Sequence, residues 1–321
     1  MVSYTGQFAQ SFYPLATPVE LTKPAASSWG DIDVSAYVPV GATGVILHLV
    51  NTSAGGVGYG LRKKGSTDDR HIKYLHQTCH IWAAIGIDEN RKFQLWYQSD
   101  GNFKVFLVAY TGSGVVFFDN AYDKSIGATV VWTDVDCSDV CPSDAIGVIL
   151  EVVNTDGVDQ YCAFRKNGSG DDRYIGTYRS QVERSSRHWV MIGVDAGQKY
   201  ETKISHVGLD AYLVGYITQG AVFLTNGVDI SLVTPDVWTE KDLSATCPSG
   251  IMAFLEMDTF ASMTCKAGAR KAGATEDILQ GINTMTAMIA LDSGQKCEII
   301  QNMAKESVGI FVIGYAQWAG A

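Results

Sequence analysis

Several groups of polar residues in this chain have types and spacings that could do chemistry. Arg62, Arg165 and Arg270 each stand seven positions ahead of an acid, Asp69, Asp172 and Asp277, as a clamp for a polar ligand would require. Asp88, Asp195 and Asp292 form a second recurring acid set. His71, His76 and His80, with Cys79 beside the last, carry the donor types that ligate zinc or copper. The paired acids Asp68-Asp69 and Asp171-Asp172 suggest a calcium loop, but two carboxylates fall short of the roughly six to eight oxygens that calcium takes. Gly60 to Thr67 has the glycine spacing of a phosphate loop without its lysine before the hydroxyl. No Gly-x-Ser-x-Gly nucleophile elbow occurs.

Plainer readings compete with each of these. The Arg and Asp set can be an ion pair that fixes a hairpin, with Gly65, Gly168 and Gly273 making the turn. Asp88, Asp195 and Asp292 precede Glu-Asn, Ala-Gly and Ser-Gly, which is β-turn composition. His188, beside Trp189, and His206 read as ordinary satisfied or exposed histidines. On these grounds no catalytic, cofactor-binding or metal-ligating residue is assigned, and no cofactor is expected.

These sets recur because the chain is a threefold repeat. Its copies open on Trp29-Gly30-Asp31, Trp132-Thr133-Asp134 and Trp238-Thr239-Glu240. They continue through the apolar runs Gly44 to Thr52, Gly147 to Thr155 and Ile251 to Thr259. They close on Phe106 to Tyr110, Tyr212 to Tyr216 and Phe311 to Tyr315. Ahead of each tryptophan, Ser11-Phe12-Tyr13, Val116-Phe117-Phe118 and Val222-Phe223-Leu224 take equivalent places. A period of roughly a hundred residues is domain-sized and too long for a solenoid. The expected units are residues 1–112, 113–218 and 219–321, and they should superpose. The third has drifted: Thr286 stands where Trp82 and Trp189 stand in the others.

Within a copy about eight short segments, rich in β-branched and aromatic residues, alternate with turn signals, as in a β-sandwich. Lys92 to Tyr97 alternates in the manner of a strand with one wet face. No stretch keeps a helical period; the best candidate, Ala274 to Met288, is broken by Gly281. The expected class is all-β, three tandem jelly-roll-like sandwiches of about a hundred residues each. The tryptophan that opens each copy is expected in its core, so truncating Trp132 should cost about 3 to 5 kcal/mol. Short links near Gly112-Ser113-Gly114 and Gln219-Gly220 should hold neighbouring units together.

A net charge of −10 argues against nucleic-acid binding, which needs a basic face. The first residues, Met1 to Gln7, lack the basic and apolar regions of a secretion signal. The longest apolar stretch, Val105 to Phe118, is broken by Thr111 to Gly114, so no membrane association is expected. Seven cysteines do not recur as pairs, which points to buried thiols in a chain made in the cytoplasm. Only Cys141 and Cys247 match, and Val40 or its neighbour stands there in the first copy.

The combination of Gly147 to Thr155, Arg165 to Arg173, His188 to Asp195 and Tyr212 to Tyr216 resembles the repeated β-sandwich modules of tailed-bacteriophage virion structural proteins. That resemblance implies a non-enzymatic head-decoration, head-fibre or tail component, located in the virion. Its partners would be the major capsid or tail proteins and copies of itself. Two other classes compete. A carbohydrate-binding or receptor-binding adhesin would use exposed aromatics such as Trp96, Tyr97, Tyr174 and Tyr178 to bind a surface glycan. A hydrolase would need paired carboxylates roughly 5 to 10 Å apart. The three units could form a compact pseudo-threefold body or a linear fibre.

Overall fold

The computed structural model describes residues 10–71, 73–99, 102–157, 160–173, 181–182, 187–259, 265–281 and 285–318. Every regular element among them is a strand, and no helix is long and apolar enough to cross a membrane. The first repeat holds β1 (Phe12–Glu20), β2 (Gly30–Asp33), β3 (Gly44–Asn51), β4 (Val57–Lys63), β5 (Lys73–Leu75), β6 (Cys79–Gly86), β7 (Lys92–Tyr97) and β8 (Phe103–Thr111). The second holds β9 (Val115–Asp123), β10 (Thr129–Asp136), β11 (Gly147–Asn154), β12 (Gln160–Lys166), β13 (Gln181–Val182), β14 (Arg187–Gly193), β15 (Lys199–Ile204) and β16 (Leu209–Ile217). The third holds β17 (Ala221–Asp229), β18 (Thr239–Asp242), β19 (Gly250–Thr259), β20 (Lys266–Lys271), β21 (Gln280–Gly281), β22 (Met285–Ala290), β23 (Lys296–Gln301) and β24 (Val308–Gln317).

The same pairing pattern appears three times. One sheet of the second repeat runs β9-β16-β11-β14 and the facing sheet runs β10-β15-β12-β13. The first repeat has β1-β8-β3-β6 and β2-β7-β4-β5, and the third has β17-β24-β19-β22 with β18-β23-β20-β21. This is the jelly-roll order, two four-stranded antiparallel sheets packed as a sandwich.

Burial along the strands explains their composition. β7 alternates between buried and half-exposed positions because only one of its faces packs inward. β3, β6, β11 and β14 are buried at every position. Their mainly apolar runs, interrupted by buried His48, His80, Glu151, Arg187 and His188, fit strands covered on both faces, one by the opposite sheet and the other by a neighbouring repeat. β6, β14 and β22 pack against one another in all three pairings, so the repeats close into a ring with these strands at its centre. The compact alternative is the one realised. A one-residue parallel bridge between β21 and β6, Gly281 opposite Cys79, joins the third repeat to the first.

Several expectations change at the level of register. Pro14, not Phe12, occupies the place of Phe117 and Phe223, since Pro14 pairs with Ala109 as those two pair with Gly215 and Gly314. Val38 rather than Val40 takes the place of Cys141 and Cys247: the three donate to Val34, Cys137 and Leu243 in the same turn. Val38 is 1% exposed and Val40 75%. All seven cysteines are buried free thiols.

Candidate functional site

The recurring arginines and acids meet, but through tryptophan. Arg62, Arg165 and Arg270 lie 4.1, 4.0 and 4.0 Å over the rings of Trp29, Trp132 and Trp238. Each indole N–H donates to Asp69, Asp172 or Asp277 at 2.8, 2.9 and 2.8 Å. The arginines also bond their hairpins, donating to the backbone carbonyls of Asp68, Asp171 and Glu276. Their side-chain partners on the adjacent strand are Gln94, Glu201 and Glu298. The opening tryptophans are therefore half-buried on the sandwich flank and not in the core. The core tryptophans are Trp82 and Trp189, at 2% and 1% exposure.

Other candidates resolve into local structure. Asp88, Asp195 and Asp292 accept the backbone N–H of Lys92, Lys199 and Lys296 and so are turn-formers. Gly65, Gly168 and Gly273 adopt φ of 95°, 81° and 77°, which a side chain would strain. The two oxygen-rich pairs point apart: Asp69 takes the Trp29 N–H, while Asp68 takes the N–H of Ala121. Gly60 to Thr67 is strand β4 and its hairpin turn. The histidines of the first copy also separate. His71 pairs with Asp69 at 2.8 Å, whereas His80 lies 2.9 Å from His48. Among the described residues no group of three or more His, Cys, Asp or Glu could hold a metal ion. Trp96 packs on His71 at 4.4 Å, and Tyr97 is buried with its hydroxyl donating to Pro24. Tyr174 and Tyr178 lie outside the described residues.

What the polar residues do build is a set of clasps where repeats meet. At the first seam Phe117 fills a pit in the first repeat floored by Gly44 and Gly86, where a Cβ would stand 2.2 Å from its ring and 2.6 Å from its own Cβ. Asn120 accepts from Ser66 and from the Thr67 backbone, Asp68 from the Ala121 N–H, and Lys63 pairs with Asp119 at 2.7 Å. Arg70 crosses to Glu151 at 2.8 Å and lies 4.3 Å over Tyr212. Glu151 is itself buried and its other oxygen binds the fully buried Arg187 at 2.6 Å. Burial works against the Arg70 charge, but Glu151 and Asp68 outweigh it and leave the Arg70 pKa raised.

The second seam repeats most of these devices, with Thr225 in the place of Asp119. Phe223 enters a pit floored by Gly147 and Gly193. Asn226 accepts from Ser169 and Gly170, Asp171 from the Gly227 N–H, and Lys166 donates to the Phe223 carbonyl. Arg173 binds Glu256 and lies 4.8 Å over Phe311.

The third seam, between repeats 3 and 1, lacks all of this. Pro14 replaces the phenylalanine, and register puts Met252 and Ala290 at the pit glycines. Ala274 stands for the serine, Thr17 for the asparagine, and Pro18, without an N–H, for Ala121 and Gly227. Ile278 takes the place of Arg70 and Arg173, and His48 that of Glu151 and Glu256, since it pairs with Phe106 as they pair with Tyr212 and Phe311. His48 stacks on Trp82 at 4.0 Å. Burial holds the His48 pKa well below 6.5, with His80 adding to the effect, and pushes that of His80 down to about 3. Thr286, where the other repeats have tryptophan, accepts the backbone N–H of Met191 across the central axis.

No protein-family model and no curated protein matches the chain. Among solved structures it is similar to one described as the triple jelly roll fold and turret assembly in an archaeal virus, at 6% identity over 96% of this chain and 91% of that one, TM-score 0.24. A structure of Sulfolobus turreted icosahedral virus matches at 7% identity over 96% and 92%, TM-score 0.24. One of the lipid-containing bacteriophage PM2 matches at 11% over 93% and 87%, TM-score 0.16. TM-scores this low leave the function to be argued from the chain's own geometry.

Proposed function

We propose that this chain is a non-enzymatic structural protein of a virion, a single-chain counterpart of a three-subunit jelly-roll capsomer. The observation that carries the proposal is the closed ring: three sandwiches, with β6, β14 and β22 at the centre, present three similar but non-identical outer faces. Such a body suits a site where three neighbours meet, because each contact can be tuned separately while the frame stays the same. Residues 1–112, 113–218 and 219–321 would be its three units. The recurring polar residues support this reading, for they are spent on turns, on Trp-Arg-Asp stacks and on clasps between repeats. The partners would be capsid or tail proteins of a phage-like particle, and the role head decoration, head fibre or tail component. Tyr97 is buried and the half-buried Trp96 packs on His71, so they offer a surface glycan little.

The test is electron cryomicroscopy of the particle from which the chain comes, with mass spectrometry of its components. Ordered copies seated on the capsid or tail in stoichiometric amounts are expected. Particles lacking the chain, with free monomer in the extract, would overturn the proposal and turn attention to glycan binding.

A further inference from the structure

The third seam contains a space that the first seam fills. At the first seam the gap bounded by Leu61, Arg70, Gly86, Phe118, Ala121 and Val214 holds about 20 Å³. The counterpart at the third seam, bounded by Ala269, Ile278, Ala290, Leu15, Pro18 and Val108, holds about 110 Å³. The cause lies in the replaced residues. Arg70 extends over Tyr212 to reach Glu151, whereas Ile278 is shorter and has no charge to seek. Ala16 stands where Asp119 projects, and His48 lies back on Trp82. The aromatic walls are Trp82, Phe106 and Trp238, with Met288 and Ile289 beside them.

We propose that this cavity is a binding site for a small neutral aromatic molecule of about one ring. Size sets the class, since an apolar cavity of about 150 Å³ stays dry and takes benzene. Ring faces and edges on several sides favour a flat guest, through offset and edge contacts. The charged residues at the mouth, Arg270, Lys271 and Glu276, are partly exposed and of both signs. A charged guest would lose its water without gaining a dedicated counter-charge. A bound molecule touches repeats 1 and 3 together, so it stabilises the closed ring by mass action. The site does not depend on whether the chain belongs to a virion.

The experiment titrates toluene into the full-length protein and records NMR shifts together with nuclear Overhauser contacts to the indole rings. Saturable binding with contacts to both Trp82 and Trp238 is expected. The double variant His48→Glu/Ile278→Arg rebuilds the pair found at the other two seams, and it should bind toluene at least about tenfold more weakly. No contact to either indole in the unmodified protein overturns the proposal, whatever the variant does. So does undiminished affinity in a folded double variant, because the molecule would then be sitting elsewhere.

Discussion

Trp132 shows how residue type and residue role part company. Its ring is capped by Arg165 at 4.0 Å and its N–H is held by Asp172 at 2.9 Å, on a half-buried flank. Trp132→Ala therefore removes the cation contacts of Arg165 and Lys203 and one hydrogen bond, worth about 1 to 3 kcal/mol together. Trp189→Ala, in the core, should cost about 3 to 5 kcal/mol. Urea denaturation of both variants checks the order, and equal losses would return Trp132 to the core. Glu151 carries more than either tryptophan's neighbours suggest, for its removal strands the fully buried Arg187. Glu151→Ala should destabilise by about 3 to 5 kcal/mol, read from the same denaturation curves. The sequence showed that Trp, Arg and Asp recur together, but periodicity says nothing about whether residues forty positions apart touch. Spacing favoured an Arg–Asp pair, and the indole between them was out of its reach.

At the scale of elements, the strands were largely legible because apolar runs and turn residues alternate three times over. Register was less so. Matching aromatic with aromatic set Phe12 against Phe117, although Pro14 is the partner by pairing, two residues along on the same face. In the third copy a one-residue slip between Ile251 and Gly44 hid the fact that Glu256, not Leu255, stands where His48 and Glu151 stand. Histidine for glutamate at that place puts a histidine pair in the inner strands. His80 and His188 are driven down to about 3 by burial, and His48 is driven well below 6.5. A depressed histidine pKa means that the unfolded chain binds the proton first. Its stabilising contribution is then full above about pH 6.5 and falls as pH drops toward 3, by up to about 1.4 kcal/mol per unit for each group. The urea midpoint should fall between pH 6.5 and 5, before carboxylates begin to titrate, and His188→Asn should flatten the slope. A midpoint constant over that range would contradict the burial of these rings as neutral species.

For the whole molecule, the difference between seams matters more than their likeness. Chain continuity joins the first two at 112–114 and 218–220, and each adds an aromatic knob, an asparagine clasp and an Arg–Glu bridge. No link tethers the third seam directly, and its clasps are replaced by apolar contacts such as Phe12 on Phe254 at 5.4 Å and by backbone bonds such as that from the Gly281 N–H to the Thr78 carbonyl at 2.6 Å. The triple repeat and short links left a compact body and a linear fibre both open, because ring closure depends on which residue of one copy meets which of the next, and that pairing is invisible in any single copy. Local opening draws on regions of low packing density, and the third seam holds a cavity of about 110 Å³ where the first holds about 20 Å³. The third seam should therefore open most readily, and hydrogen exchange can read this bond by bond. The Gly281 amide crosses the third seam, while the Ala121 and Gly227 amides are held across the first and second by Asp68 and Asp171. Exchange at Gly281 is expected to be at least about tenfold faster, equivalent to a seam weaker by about 1.4 kcal/mol. Equal protection at all three would mean that apolar packing alone closes the ring as firmly as the buried ion pairs do, in keeping with the small net worth of such pairs once their desolvation is counted.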